Sequence, residues 1–370
     1  MTAVGFLFAA ALVLFTARRY VFILTSLLPS PDAAANFLPG ISVLVSARNE
    51  EQHLPGLLAA FDRLDYPPER LHFVLVDDGS CDATGRLQTQ WAAARPNATV
   101  LRLDRSEGKA CALNRALELA PPFQFVAVYD ADVHPLPASL RQLAAAFVDP
   151  SVGAVAGYRR PVNGHASLVA AYAALESWVH QQVTQAAKER LGMNPTTLGA
   201  HCLYRRAALE EVGGFPAGSL SEDIEVSLAL VARGWKTRFL RNAPADSLVV
   251  ASLDRFWNQR ARWTRGLFGS AHQARGLESW AVVSGYLDRI VFLAACAAAA
   301  TGWLSPLWLL VYLSAPLAAV LAALYNARPG WRAALYSLAA LGPMFVVDLA
   351  ATCVSTAGAL LRRPIEWRTG

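Results

Sequence analysis

Asp130 and Asp132 are separated by one residue and follow the apolar run Phe125 to Tyr129. Two carboxylates so spaced at a strand end can meet a divalent cation, Mg2+ or Mn2+, together with a diphosphate. Such a hard ion takes few protein ligands and shares its other sites with phosphate oxygens. A bare Asp-x-Asp is also ordinary turn chemistry. The strand before it and the pair Asp77/Asp78 upstream favour the metal reading. A second acid has a separate setting, in Ser219-Leu-Ser-Glu-Asp223, where a helix opens and runs to about Ala232. Ser219 or Ser221 can cap that helix, and Glu222 and Asp223 suit its positive end. Asp223 is also placed to act as a general base for a hydroxyl acceptor, a task distinct from holding a metal.

Two basic motifs complete the set. Lys109, after Glu107-Gly108, stands in the first turn of a helix, where the dipole does not favour a cation. It serves either a phosphate, an acidic neighbour or the solvent. Gln259, Arg262 and Trp263 share one side of a helix at their spacing. An arginine there can neutralise charge on a leaving diphosphate, and an indole face can support a sugar ring or an acyl chain. The same segment, with Trp257, Trp263 and Phe268, also reads as an amphipathic helix on lipid. Gly199 and Ala200 would allow a close backbone approach, and His201, which lacks metal-ligand spacing, reads as a packing or hydrogen-bonding residue.

These residues need elements to bring them together. Ile41 to Ser46, Leu71 to Val76 and Phe125 to Tyr129 are short apolar runs that end abruptly in polar groups. Helical patterns, including His53 to Phe61 and Lys109 to Leu119, lie between them. The expectation is an α/β fold with a mostly parallel central sheet covered on both faces. Ligands bind at the carboxyl ends of such strands. Asn49/Glu50, Asp77/Asp78 and Asp130/Asp132 would therefore form one acidic cleft. Neither the GxGxxG nor the GxxxxGK[ST] phosphate loop occurs, which disfavours a dinucleotide fold and a P-loop NTPase.

The chain is 54% hydrophobic and 16% charged, against about 25% charged for a typical soluble domain. The apolar excess sits at the ends. Residues 1–30 read as a membrane anchor, either one helix near 3–28 with Arg18 and Arg19 near an interface, or a pair of short elements. The start lacks the basic residues of a signal peptide. Residues 38–275 read as the catalytic domain, and 280–361 as a membrane region with three spans near 285–303, 305–325 and 334–358. Three spans place Arg328 and Arg332 on the side of the catalytic domain and Arg362 and Arg363 on the other; two would reverse this. The net charge is +5, without a dense Lys/Arg run, so nucleic acid is not an expected partner. Five scattered cysteines without a CxxC argue against a disulfide framework or zinc site. A transporter would carry its polar chemistry within the spans, where only Asp288, Arg289 and Asp348 stand.

Taken in order, Ser46-Ala-Arg-Asn-Glu50, Val76-Asp-Asp-Gly-Ser80, Gly108-Lys-Ala-Cys-Ala-Leu-Asn114, Asp130-Ala-Asp132, Ser221-Glu-Asp223 and Gln259-Arg-Ala-Arg-Trp263 resemble the inverting, GT-A type family 2 glycosyltransferases. The resemblance covers about residues 38–275 and is narrower to the integral-membrane branch with polysaccharide synthases and lipid or carotenoid glucosyltransferases. It implies a nucleotide-sugar donor, with UDP expected, and a donor-binding set of Ala47, Glu50, Asp78, Lys109 and Asp130. It makes Asp78 a uracil or ribose contact, Asp132 the metal-binding acid and Asp223 the base. Glu222, Gln259, Arg262 and Trp263 fall by the diphosphate and the acceptor. The implied reaction is single displacement with inversion, on a membrane lipid or a growing glycan, by an enzyme of the cell membrane with its catalytic domain in the cytoplasm. The small membrane portion favours a lipid acceptor over a processive synthase. A sugar-nucleotide-binding protein without activity is the remaining alternative, and the presence of Asp223 argues against it.

Overall fold

The computed structural model describes residues 3–29, 37–270, 288 and 290–361. A single helix, α1 (Ala3–Ser26), carries the N-terminal apolar segment without a break at the two arginines. The αβ region then alternates. β1 (Ile41–Ala47), α2 (Leu54–Phe61), β2 (Leu71–Asp77), α3 (Thr84–Ala93), β3 (Ala98–Arg102), α4 (Lys109–Leu119) and β4 (Phe125–Tyr129) make three crossover units. The second half is more irregular: β5 (Val133–Pro135), α5 (Ser139–Ala145), β6 (Val152–Pro161) and α6 (Leu168–Trp178). A π-helical stretch, Val179–Gln185, joins α6 to α7 (Ala186–Leu191). Then come β7 (Cys202–Arg205), α8 (Arg206–Glu211), α9 (Glu222–Ala232), β8 (Lys236–Ser247) and α10 (Leu253–Ser270). The C-terminal helices are α11 (Ile290–Ala300), α12 (Leu307–Ala327) and α13 (Trp331–Leu360).

The strands form one sheet in the order β3-β2-β1-β4-β7-β6-β8-β5. β3, β2, β1 and β4 are parallel. β7 runs antiparallel to β4 and β6, β8 returns parallel to β6, and β5 is antiparallel to β8. The mostly parallel sheet expected from the apolar runs is the one found. β1 is buried along nearly its whole length, and its residues split by parity. Val43 and Val45 join Phe73, Leu75, Leu57 and Phe61 on one face. Leu44 joins Val74, Val76, Leu113 and Trp178 on the other. Burial on both faces is why these strands carry no polar alternation.

Three helices among the described residues, Ala3–Ser26, Leu307–Ala327 and Trp331–Gly358, are long and apolar enough to cross a bilayer. They support an integral-membrane topology with apolar helices near both termini. The segment expected as a span near 285–303 contains an apolar helix at Ile290–Ala300, shorter than the other three; residues 285–287 and 289 lie outside the described ones, as do 271–275 of the expected catalytic domain and Arg362 and Arg363. α1 and α12 join the domain at their carboxyl ends. Arg241 donates to the carbonyls of Ser26 at 2.7 Å and Gln182 at 2.6 Å, and Asn326 reaches the same two carbonyls.

Candidate active site

The parallel strands deliver their acids to one edge, and the loops there are stitched to each other. Asp78 donates its backbone N–H to the carbonyl of Ala47, tying β2 to β1. Asn49 adopts a left-handed φ of 54°, and its side-chain oxygen accepts from the Cys81 N–H at 3.0 Å. Asp77 accepts from the Ser80 N–H, closing the turn after β2. Gly79 is needed in that turn: φ is +69°, and a Cβ would lie 2.6 Å from the Arg105 backbone.

Asp78 is buried, and its carboxylate accepts from the Ser106 hydroxyl at 2.7 Å, the Glu107 N–H at 2.7 Å and the Gly108 N–H at 3.1 Å. Its visible work is to hold the loop ahead of α4. Gly108, at φ +87°, turns that loop into the helix. Lys109 then projects to the centre of the site. Its ammonium lies 2.6 Å from Asp130 Oδ1 and 3.3 Å from Glu222 Oε1, and it donates to the Gly199 carbonyl at 3.0 Å. Of the alternatives for this lysine, the structure shows the acidic-neighbour one. Burial disfavours its charge, but Asp130 and Glu222 outweigh that and hold the ammonium above its ordinary range.

One ammonium thus stands between the carboxyl end of β4 and the start of α9. Asp223 is on the α9 side. Ser221 occupies the N-cap position but makes no cap hydrogen bond with its side chain. The Ser219 hydroxyl instead accepts from the Ser221 N–H and donates to Glu225. Gly199, at φ +75°, passes so close that a Cβ there would sit 3.4 Å from Asp223 Oδ2 and 3.7 Å from Lys109 Nζ. Burial and the charge of Glu222 push the Asp223 carboxyl up to about 6. On the other side, burial and the charges of Asp132 and Asp130 push Glu50 up to about 7. Asp132 is raised by burial and by Asp130. These mutual effects place Glu50, Asp130 and Asp132 in one electrostatic neighbourhood.

His201 packs as its sequence setting predicted. It is fully buried, its Nε2 lies 2.8 Å from the Ala243 carbonyl, and burial pushes it down to about 4. α10 brings the last group. Gly266 abuts Ser221, whose hydroxyl leaves no room for a Cβ. Arg255, near the other end of α10, favours the ionised form of Glu50. Arg255, Gln259, Arg262 and Gly266 recur at the i, i+4, i+7, i+11 spacing of one helical stripe, whose two end residues neighbour Glu50 and Ser221. Trp263 lies at the border of that stripe, 37% exposed, with the Arg260 guanidinium 4.9 Å from its ring.

Three groups escaped the sequence reading. Arg159, on β6, favours ionisation of both Asp132 and Asp223, and its Nε is buried without a hydrogen-bond partner among the described residues. No motif marks it; only the sheet order brings β6 to the site. Arg255 could have been found by extending the helical spacing four residues back from Gln259. Arg260 was read past because it stands between two motif positions.

The cleft fits a hard divalent ion. Asp132 is a half-buried carboxylate beside a second one, and it makes no ion pair among the described residues. No group of three His, Cys, Asp or Glu is disposed to hold an ion alone among those residues, so phosphate oxygens would complete the shell, as Mg2+ commonly requires.

Comparison with known proteins gives this arrangement a place. A beta-monoglucosyldiacylglycerol synthase of Synechocystis sp. is 30% identical over 243 residues, 64% of this chain and 49% of its own length. A poly-beta-1,6-N-acetyl-D-glucosamine synthase of Staphylococcus aureus is 30% identical over 248 residues, 65% of this chain and 58% of its own. The chain thus matches only part of the length of these curated relatives. Among solved structures, a mannosyltransferase from Pyrobaculum calidifontis in complex with GDP-Man and Mn2+ superposes with a TM-score of 0.64 at 21% identity, covering 96% of this chain and 100% of that one. That likeness shows the fold, of the GT-A type. The sequence pattern of the glycosyltransferase-like family 2 matches residues 39–266. With its fold, its ordered motifs and that match, the chain belongs to glycosyltransferase-like family 2.

Proposed function

We propose that this protein transfers a sugar from a nucleotide-sugar, with UDP-hexose the favoured donor, to a hydroxyl of a membrane lipid, with inversion at the anomeric carbon. The observation that carries the reading is Lys109 bridging Asp130 and Glu222, beside Asp223. It supports a reading in which a diphosphate-binding end and a base lie side by side. Asp223 takes the acceptor's proton as the acceptor oxygen bonds to the anomeric carbon. The bond from that carbon to the diphosphate oxygen breaks, and its electron pair stays on the leaving diphosphate. Gln259 and Arg262 meet the charge that develops there. Ala47 and Asp78 shape the donor-binding loops, and Glu50 and Asp130 face the donor. Asp132, assisted by Asp130, would hold Mg2+ or Mn2+, which when bound neutralises diphosphate charge.

The lipid acceptor is supported by the name of the Synechocystis relative and by the three membrane-length helices. The catalytic region faces the cytoplasm in this reading, where nucleotide-sugars are made, and residues 280–361 cross the bilayer three times. The relative from Staphylococcus aureus favours a second reading, a processive polysaccharide synthase. One assay separates them. Purified protein is incubated with radiolabelled UDP-sugars, Mn2+ and membrane lipid extract. A discrete organic-soluble product is expected; a high-mass polymer would replace the lipid reading with the second. Asp132→Asn should remove the metal-dependent turnover, and full turnover without added divalent ion would contradict the role given to Asp132. Absence of transfer by the wild-type chain with every donor would leave a sugar-nucleotide-binding protein.

A further inference from the structure

Arg260 sits inside the Gln259–Trp263 run but turns its side chain away from the cleft. That side chain is 5% exposed. It forms an ion pair with Glu176 of α6, and its Nε lies 2.9 Å from Asp348 Oδ1 of α13. Asp348 also accepts from the Tyr172 hydroxyl of α6 at 3.1 Å. The guanidinium lies 4.6 Å from the Phe256 ring and 4.9 Å from the Trp263 ring. One buried cation of α10 is therefore held by carboxylates from two other elements. One belongs to the catalytic core, the other to a helix long enough to cross a membrane.

A buried ion cluster is a poor source of net stability, since desolvation offsets much of the attraction. It does demand one geometry. Successive helical residues differ by about 100° around the axis, so a small rotation of α10 would swing the Arg255–Gln259–Arg262–Gly266 stripe off the cleft. The apolar partners of α10 would tolerate such a rotation far better than Arg260 would. The cluster lies on the side of α10 away from the cleft, which is where a device that fixes this rotation has to be.

We propose that Arg260, clamped by Glu176 and Asp348, is a positioning residue that fixes the rotation of α10 and so sets Gln259 and Arg262 against the cleft. The proposal rests on the glycosyltransferase reading above. It makes α13 part of the active-site scaffold as well as an apolar span.

The test uses the full chain in detergent, with UDP-sugar, Mn2+ and lipid extract. Asp348→Asn keeps the size and the Tyr172 contact while removing the charge. It should lower kcat about tenfold or more, because misplacement of a group by about 1 Å is enough for such losses. Donor KM should change less than kcat, since Arg262 and Gln259 act on charge that develops at the leaving diphosphate. The loss must also depend on Arg262: in an Arg262→Ala background, Asp348→Asn should change kcat by less than about twofold, the signature of two residues acting as one unit. A wild-type kcat for Asp348→Asn, or a loss that multiplies fully with that of Arg262→Ala, overturns the clamp. If Asp348→Asn fails to fold, Arg260→Lys keeps the charge but loses the planar fork. The same kcat loss without a lower melting temperature is then expected, and a wild-type rate overturns the proposal. A wild-type chain inactive with every donor removes the glycosyltransferase reading itself; an active wild type matched by both variants removes only the clamp.

Discussion

Lys109 connects the two chemical ends of the cleft, and its charge acts on each differently. It pairs with Asp130, the proposed diphosphate end, and it pulls down the pKa of Asp223, the proposed base. Burial and Glu222 still leave Asp223 at about 6. A base must be ionised, so transfer should fall as pH drops below about 6 and reach a plateau above it. Removing Lys109 removes a lowering influence, so Lys109→Met should move this acidic limb to higher pH. The pH profile of kcat for the two proteins checks the sign, and a limb that stays fixed or moves down would remove Lys109 from the base's surroundings. Asp223→Asn should bind the nucleotide-sugar like the wild type, measured by titration, while transfer falls by about 10²- to 10⁴-fold. Asp130, Asp132 and Asp223 were legible as residues because each interrupts a local pattern, a strand end or a helix start. Arg159 was not, because it sits near the carboxyl end of a strand, β6, whose neighbours are decided by sheet order alone.

The same contrast holds among the elements. β1, β2 and β4 could be read because helices cover both faces and the runs are therefore continuously apolar. β8 could not: it carries Asn242 and Pro244, types depleted from strands, between the charged Arg238, Arg241 and Asp246. It persists because it pairs with both β6 and β5, with a register shift at Gly157/Tyr158. α10 was read as a helix, and it is one, but its buried arginine shows that the face away from the motif stripe is not purely apolar. Its seating on α9 depends on Gly266, since a methyl there would meet the Ser221 hydroxyl. Gly266→Ala should favour α10 as an isolated helix yet lift it from the start of α9. We expect a loss of about 1–3 kcal/mol from overpacking, together with a fall in kcat larger than the rise in donor KM. Steady-state kinetics beside a melting curve measure both, and a variant more stable and as active as the wild type would show that α10 does not seat there.

At the scale of the whole molecule, the question is how a bilayer helix tolerates adjacent arginines. α1 runs unbroken through Arg18 and Arg19 because a counter-charge waits beside them. Arg19 is 2.5 Å from Asp288 and Arg18 is 3.8 Å away, while Asp288 is 1% exposed and accepts from the Tyr312 hydroxyl of α12 at 2.6 Å. Arg19 also lies 4.8 Å from the Tyr312 ring. The interruption that made a pair of short elements conceivable in the sequence is thus a joint between α1, α12 and Asp288. Tyr20 adds a hydrogen bond to Ser314 on the same interface. Breaking a buried ion pair at one partner costs about 3–5 kcal/mol, and a quarter-exposed Arg19 places this joint at the lower end of that range. Asp288→Asn should therefore lower the melting temperature in detergent. Arg19→Met added to Asp288→Asn should recover most of the loss, because replacing both charges leaves neither one stranded. Thermal unfolding of the two single variants and the double variant closes this cycle. Strict additivity of the two losses would mean that the arginines are satisfied by solvent or lipid headgroups, and that α1 is held to the other helices by apolar packing around Leu12 and Ile23 and by the hydrogen bonds of Tyr20 and Ser26.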